Sequence, residues 1–237
     1  EEMWRIMGEE SFTVVEMGAG SGWVCYDIIH YIRKEYPRFY DNFHYIIVET
    51  NPYAKKKQRL LLDSIDIDDD KVSWHTYPED GFSFDRVHGC FLSNEFVDAL
   101  PVHRLKAKNK VLKEMYVSYN NSGFFEIEDD VSTHEFKEYL GTLRIYLKED
   151  QECEINLDAE KWLGHVSDKL HKGFVITIDY GDAIDGIFRE NDTEGTLRCY
   201  YKHTVNKDYY ERLGEQDITA HVDFTYLMNV GKSVGLN

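Results

Sequence analysis

Gly18, Gly20 and Gly22 crowd three glycines into five residues of the stretch TVVEMGAGSGWV (13–24). Glycine turns tightly and lets a backbone approach a ligand that any Cβ would push away. Gly18, Ala19, Gly20 and Gly22 therefore form a candidate cofactor loop between a strand and a helix. The dinucleotide loop G-x-G-x-x-G has a similar look and sets a pyrophosphate against a helix N-terminus. In this chain the third glycine comes one residue early and Trp23 follows it. Two residues before Gly18 stands Glu16, a carboxylate that would repel pyrophosphate but attract a cofactor carrying an ammonium and a sulfonium. S-adenosylmethionine (SAM) is such a cofactor. A tight turn without a ligand is the plainer alternative.

Other polar residues also fall where apolar runs end. Glu49 closes HYIIVET (44–50), where an acid can accept hydrogen bonds from both ribose hydroxyls; capping the next helix is its alternative role. Asn94, Glu95 and Asp98 follow a further apolar run in SNEFVDALP. On one helical turn Glu95 and Asp98 would face the same way, and paired carboxylates suit the planar fork of a guanidinium. A capping box opened by Ser93 or Asn94 is the competing reading. Trp74 and His75 end a shorter run, and Asp179 ends GFVITID.

Such residues need a frame that gathers strand ends. Apolar strand-like runs alternate with amphipathic helical ones through the first hundred residues, the pattern of a parallel sheet covered by helices. TVVEMG (13–18), HYIIVET (44–50), KVSWH (71–75) and RVHGCFLSN (86–94) are the expected strands. Between the first two, Val24, Ile28, Ile29 and Ile32 should share one helical face. Asn51-Pro52 reads as a helix start, an N-cap followed by proline in the first turn. From 102 to 130 the pattern becomes alternating strands with turns at Lys108-Asn109 and at 120–123, an antiparallel insertion. A helix at about 157–170 leads into GFVITIDYG (173–181), LRCYYKHTV (197–205) is another strand, and a helix begins at Asp223. In open α/β sheets ligands lie beyond the carboxyl ends of the strands, which is where the candidate residues fall.

Composition narrows the partners. A chain of 237 residues can bury one substantial core. Lys and Arg number 27 against 44 Asp and Glu, a net charge of −17, which disfavours a nucleic-acid backbone and would welcome a basic substrate. The acidic run DSIDIDDDK (63–71) reads as solvated surface. Cys25, Cys90, Cys153 and Cys199 make no C-x-x-C pair, which fits a reducing compartment, and the histidines lack metal-ligand spacing. No apolar run approaches the roughly 20 residues of a membrane span. The start at Glu1 and the end in VGLN suggest a piece of a longer protein, whose targeting segment would lie elsewhere.

Together EMGAGSG, SNEFVDALPVHRL, ITIDYG and GEQDITAHVDF closely resemble the motifs of one family. It is the class I SAM-dependent methyltransferase family that includes the mitochondrial complex I assembly factor, a protein arginine methyltransferase, and its bacterial relatives. The resemblance runs from Trp4 to about Leu236. It implies a Rossmann-like α/β fold, mostly parallel with helices on both faces, as a single methyltransferase domain over 1–237 with a β-rich insertion at about 102–150. It implies SAM as the cofactor, with Glu16, Gly18, Ala19, Gly20 and Gly22 on the methionine side and Glu49 on the ribose. Asn94 and Glu95 would line the junction of cofactor and substrate with Asp98 nearby. Glu95, Asp98 and Asp179 are the catalytic candidates, while Asp217, Thr219, His221 and Asp223 match motifs without a role that spacing reveals. The family often has proline where this chain has Ala19.

The acceptor so implied is an arginine of a protein, such as a respiratory complex I subunit, in a bacterial cytoplasm or a mitochondrial matrix. Amino methyltransferases of nucleic-acid bases resemble D/N-P-P-Y after the fourth strand, whereas this chain has Ser93-Asn94-Glu95-Phe96, which disfavours a flipped base. Two rivals stand beside this reading. One is an NAD(P)-dependent oxidoreductase, opposed by Glu16 and Trp23. The other is a non-catalytic assembly or binding protein that keeps the fold.

Overall fold

The computed structural model describes residues 1–65, 67–68, 70–77, 81–189, 193–202 and 204–236; Asp66 and Asp69 of the acidic run lie outside the described residues. The chain opens with α1 (Glu2–Ile6), β1 (Phe12–Met17), α2 (Trp23–Glu35), α3 (Pro37–Asp41), β2 (Phe43–Val48), α4 (Pro52–Leu62), β3 (Val72–His75) and β4 (Val87–Asn94). It continues through β5 (His103–Lys108), β6 (Val111–Asn120), β7 (Gly123–Asp130), α5 (Glu135–Thr142), β8 (Glu152–Ile155), α6 (Leu157–Lys169) and β9 (Leu170–Ile178). The last stretch holds β10 (Gly181–Asp182), α7 (Ile184–Ile187), β11 (Arg198–Tyr201), β12 (Thr204–Asn206), β13 (Asp217–Thr219), β14 (Val222–Asp223) and α8 (Phe224–Ser233). These elements divide into two compact units, the first made of Glu1–Phe96, Trp162–Asp179 and Gly231–Asn237, the second of Val97–Lys161 and Tyr180–Val230.

The first unit is built on a five-stranded sheet of order β3-β2-β1-β4-β9, parallel at every pairing. Its strands are apolar runs because the inner ones are buried on both faces, as in β1, where Thr13 alone is half exposed. The chain leaves β1 toward β2 and β3 and later fills the other side with β4 and β9, so strand order reverses between β1 and β4. Phe12, Phe39 and Phe43 meet edge to face beside Trp4, giving α1 and α3 their anchorage. On α2 the buried face is Cys25, Ile29 and Ile32, spaced i, i+4, i+7. The expected face is thus corrected at one position, since Val24 lies one step round the helix and is exposed. Helix α4 starts as its sequence dictates: the Asn51 side chain accepts from the amides of Tyr53 and Ala54, and Pro52 occupies the first turn.

The second unit carries an antiparallel sheet of order β7-β6-β5-β8. Two-residue turns at Asn109-Lys110 and Asn121-Ser122 close its hairpins, the first with both residues at positive φ. The insertion expected to stop near 150 continues further, because β8 pairs with β5 as the fourth strand. Leu105, Phe136, Tyr139, Cys153 and Ile155 form a core between this sheet and α5. The single strand expected over 197–205 is two strands instead. β11 and β12 pair antiparallel, with Lys202 at φ +45° reversing the chain between them; His203 lies outside the described residues. β13 completes that sheet on the other side of β11.

Candidate functional site

Because all five strands of the first unit run the same way, their carboxyl ends gather along one sheet edge, the edge where open α/β sheets bind ligands. β1 delivers the glycine loop there. Gly18, Gly20 and Gly22 all have positive φ, +63°, +53° and +89°, a backbone that residues with a Cβ rarely adopt. Gly22 accordingly caps α2, and its amide donates to the carbonyl of Ala19 at 2.8 Å.

The three glycines answer different demands. A Cβ on Gly18 would lie 3.1 Å from Cδ2 of Phe96, and one on Gly22 would lie 3.1 Å from Cγ of Gln58. These two make room for the protein's own side chains. At Gly20 a Cβ would meet nothing within 4 Å, so its strained backbone faces open space, as a ligand-cradling position should.

A residue the spacing argument passed over ties this loop to the rest of the edge. Gln58 of α4 is fully buried. Its Nε2 donates to the carbonyl of Gly20 at 2.9 Å and to Oε2 of Glu49 at 3.2 Å, while its Oε1 accepts from Nε1 of Trp74 at 3.0 Å. One amide thus fixes the loop, the acid after β2 and the tryptophan of β3. The available signal was a polar residue four before Leu62, on the inward face of α4.

Glu49 is half-buried, and its other oxygen accepts from the amide of Asn51 at 2.9 Å. Each carboxylate oxygen keeps a lone pair beyond these bonds, enough for a ribose diol. Glu16 lies inside the end of β1 at 2% exposure, and the Tyr45 hydroxyl donates to its Oε2 at 2.8 Å. Burial pushes its carboxyl up to about 7 against the pull of that hydrogen bond.

Asn94 ends β4 opposite Ile178 and is exposed. Glu95 is exposed as well and sits at φ +49°, its amide donating to the carbonyl of Ile178 at 2.9 Å. Asp179 Oδ2 accepts from the amide of Phe96 at 3.2 Å, and the Phe96 ring packs on Trp162 with centroids 5.5 Å apart. Asp179 therefore holds the segment that carries Glu95. The helical turn expected to align Glu95 with Asp98 is absent: Glu95 is left-handed, and a simple turn closes from the Leu100 amide to the Val97 carbonyl. Asp98 belongs to the second unit, where it is 5% exposed and its carbonyl accepts from the Ala220 amide.

Of the later motif, Asp223 is a structural residue. Its Oδ1 accepts from the Tyr226 amide at the start of α8 and its Oδ2 from the buried Tyr139 hydroxyl at 2.7 Å. Asp217 and Thr219 pair within β13 against β11, and the exposed His221 uses its amide on Thr196. Among the described residues no group of three His, Cys, Asp or Glu is placed to hold a metal ion, and no helix is long and apolar enough to cross a membrane.

A parallel sheet reversing beside a glycine loop, with an acid after the second strand, is the Rossmann-like architecture of a class I methyltransferase. The chain belongs to the family described as "Putative S-adenosyl-L-methionine-dependent methyltransferase", which it matches over residues 1–237. It is 25% identical over 264 residues to the mitochondrial protein arginine methyltransferase NDUFAF7 homolog of Drosophila melanogaster, covering 98% of this chain and 55% of that protein. It is 23% identical to the Rattus norvegicus protein arginine methyltransferase NDUFAF7, covering 97% of this chain and 54% of the relative. The chain thus spans about half the length of these curated relatives. A Burkholderia thailandensis protein solved with bound S-adenosyl-homocysteine superposes with a TM-score of 0.82 at 25% identity, covering 99% of this chain and 58% of that one. A native crystal structure of a protein from the same organism gives 0.84 at 26% identity, over 99% of this chain and 60% of its own.

Proposed function

We propose that this protein transfers a methyl group from SAM to an arginine side chain of a protein, with residues 1–237 working as one methyltransferase domain. The observation that carries the cofactor half is Gly20, left-handed and facing open space, joined through Gln58 to Glu49. The loop admits the methionine end, Glu49 accepts from the ribose hydroxyls, and Glu16 lies beneath the loop where its negative form favours a cationic cofactor. When bound, SAM supplies a methyl carbon activated by its sulfonium.

The acceptor half falls to Glu95. An exposed carboxylate after β4, fixed in a left-handed backbone by Ile178 and Asp179, can orient a guanidinium by bidentate hydrogen bonds. Guanidinium has a pKa above about 12 and keeps its proton until transfer is under way, so Glu95 would hold the cation and, as the new N–C bond replaces the S–C bond of the sulfonium, would take the proton the nitrogen loses or pass it to solvent. Holding donor and acceptor in near-attack geometry accounts for much of the rate. Arginine is favoured by the names of the distant relatives and by the acidic composition. A respiratory complex I subunit is the candidate acceptor, in a mitochondrial matrix or a bacterial cytoplasm according to the source.

Calorimetric titration with SAM, S-adenosyl-homocysteine and NADH, with Glu49→Ala alongside, tests the cofactor. Binding of the first two alone, lost in Glu49→Ala, is expected; binding of NADH alone would replace this reading by an oxidoreductase. Mass spectrometry of a complex I subunit incubated with SAM should then show the gain of one methyl, and SAM binding with no methylated acceptor would leave a non-catalytic assembly protein.

A further inference from the structure

Glu16 is a buried acid without a counter-ion. It stands one residue from the end of β1, with Ile47 of β2 and Leu92 of β4 as its sheet neighbours, and is 2% exposed. Three elements enclose it. From β2 the Tyr45 hydroxyl donates to its Oε2 at 2.8 Å. From the first turn of α2 comes Cys25, fully buried, whose thiol feels the Glu16 charge. From β4 comes Cys90, also buried, whose thiol acts on Tyr45. Among the described residues no lysine, arginine or histidine pairs with the acid.

A carboxyl deprived of water and of a cation holds its proton more tightly. Burial accordingly pushes Glu16 up to about 7, while the Tyr45 hydrogen bond favours the charged form and pulls the other way. Its neighbours stay neutral there. Burial and the Glu16 charge raise the Cys25 thiol, burial raises Cys90 to about 11, and burial and Glu16 hold Tyr45 well above its ordinary value. Of these four groups Glu16 alone changes charge near neutral pH. Its place makes that charge matter, because the carboxyl between Cys25 and Tyr45 lies under the loop of Gly18, Gly20 and Gly22 that joins β1 to α2. A cation on that loop meets the acid across protein rather than water, where attraction is stronger.

We propose that Glu16 and Tyr45 couple cofactor binding to proton release: the cationic methionine end of SAM is held by the carboxylate form, so binding drives the Glu16 proton to solvent. This rests on the reading of the glycine loop as a SAM site. Tyr45 is 1% exposed and is a positioning residue, acting through Glu16 by setting the pH at which the proton leaves. Below about pH 7 the free protein carries the protonated acid, so SAM must displace that proton and its affinity falls as pH falls.

Calorimetric titration of the full chain with SAM tests the coupling. Affinity should rise about fivefold between about pH 6 and pH 7. At about pH 6.5, buffers of different ionisation enthalpy should reveal release of more than about half a proton per SAM bound. Glu16→Gln, neutral at every pH, should bind with level affinity and release no linked proton. Tyr45→Phe removes the donor that favours the charged form and should move the rise to higher pH, with an unchanged circular dichroism spectrum. Glu16→Gln buries no charge and decides the matter alone if Tyr45→Phe does not fold. SAM binding of level affinity in the parent overturns the coupling and leaves the cofactor reading intact. A rise that survives Glu16→Gln also overturns it and assigns the proton to another group, such as His75 at the end of β3. A profile unmoved in folded Tyr45→Phe strikes out the role given to Tyr45. Folded protein that binds no SAM at any pH removes the cofactor reading, and the coupling with it.

Discussion

Glu16 is the residue whose chemistry depends most on where the fold puts it. An ordinary glutamate loses its proton near 4.5, but buried beneath the glycine loop this one keeps it up to about 7. The unfolded chain then releases a proton between those values that the folded chain retains. Stability from this group is therefore full below about pH 4.5 and falls as pH rises toward 7, by on the order of 3 kcal/mol. Denaturant unfolding across that window should show the decline in the parent and a flatter profile in Glu16→Gln. Identical slopes would mean that Glu16 ionises normally. At the sheet edge, Glu95→Gln should lower turnover far more than SAM affinity, because the proposed role of its exposed carboxylate is to orient the acceptor; unchanged turnover would remove Glu95 from the mechanism. Gln58→Ala should weaken SAM binding through the freed Gly20 carbonyl and Glu49, and Gln58→Glu should weaken it further by setting two anions together. A SAM affinity indifferent to both would make Gln58 only a packing residue.

Elements are held by caps that the sequence announces to different degrees. Asn51 before Pro52 signals the start of α4, and Asn51→Ala should cost about 1 kcal/mol in denaturant unfolding by orphaning the amides of Tyr53 and Ala54. The Asp223 cap of α8 was hidden inside a family motif. Asp223→Ala should destabilise the second unit by roughly 1–3 kcal/mol, since the buried Tyr139 hydroxyl loses its acceptor. SAM affinity should stay as it was. A variant of normal stability with lost activity would contradict the structural role and return Asp223 to the chemistry. The strands of the first sheet were legible because parallel buried strands read as apolar runs. The break between β11 and β12 was not, because LRCYYKHTV has no glycine, proline or asparagine to mark where Lys202 turns left-handed.

For the whole molecule the governing quantity is the net charge of −17. A field of that sign steers cations inward and is screened by salt. Association with a basic protein acceptor should slow markedly as ionic strength rises while the off-rate changes little. A salt-independent association rate in stopped flow would show that the acidic surface plays no part in capture. The division of the chain into two units follows from topology, since β5 to β8 leave the parallel sheet between β4 and β9 and pair only among themselves.

By itself the sequence determined what local chemistry controls. The positive-φ glycines after β1, the Asn-Pro start of α4, the two-residue hairpin turns and the acids at strand ends were all written in neighbouring residues. Tertiary structure alone decided which distant side chains meet. It placed Gln58 between Gly20, Glu49 and Trp74, sank Glu16 against Tyr45, gave Asp179 to the Phe96 amide and put Asp98 in a different unit from Glu95. Those outcomes depend on sheet register and on which helix face packs inward, and such contacts between residues far apart in the chain leave no pattern in any short stretch of it.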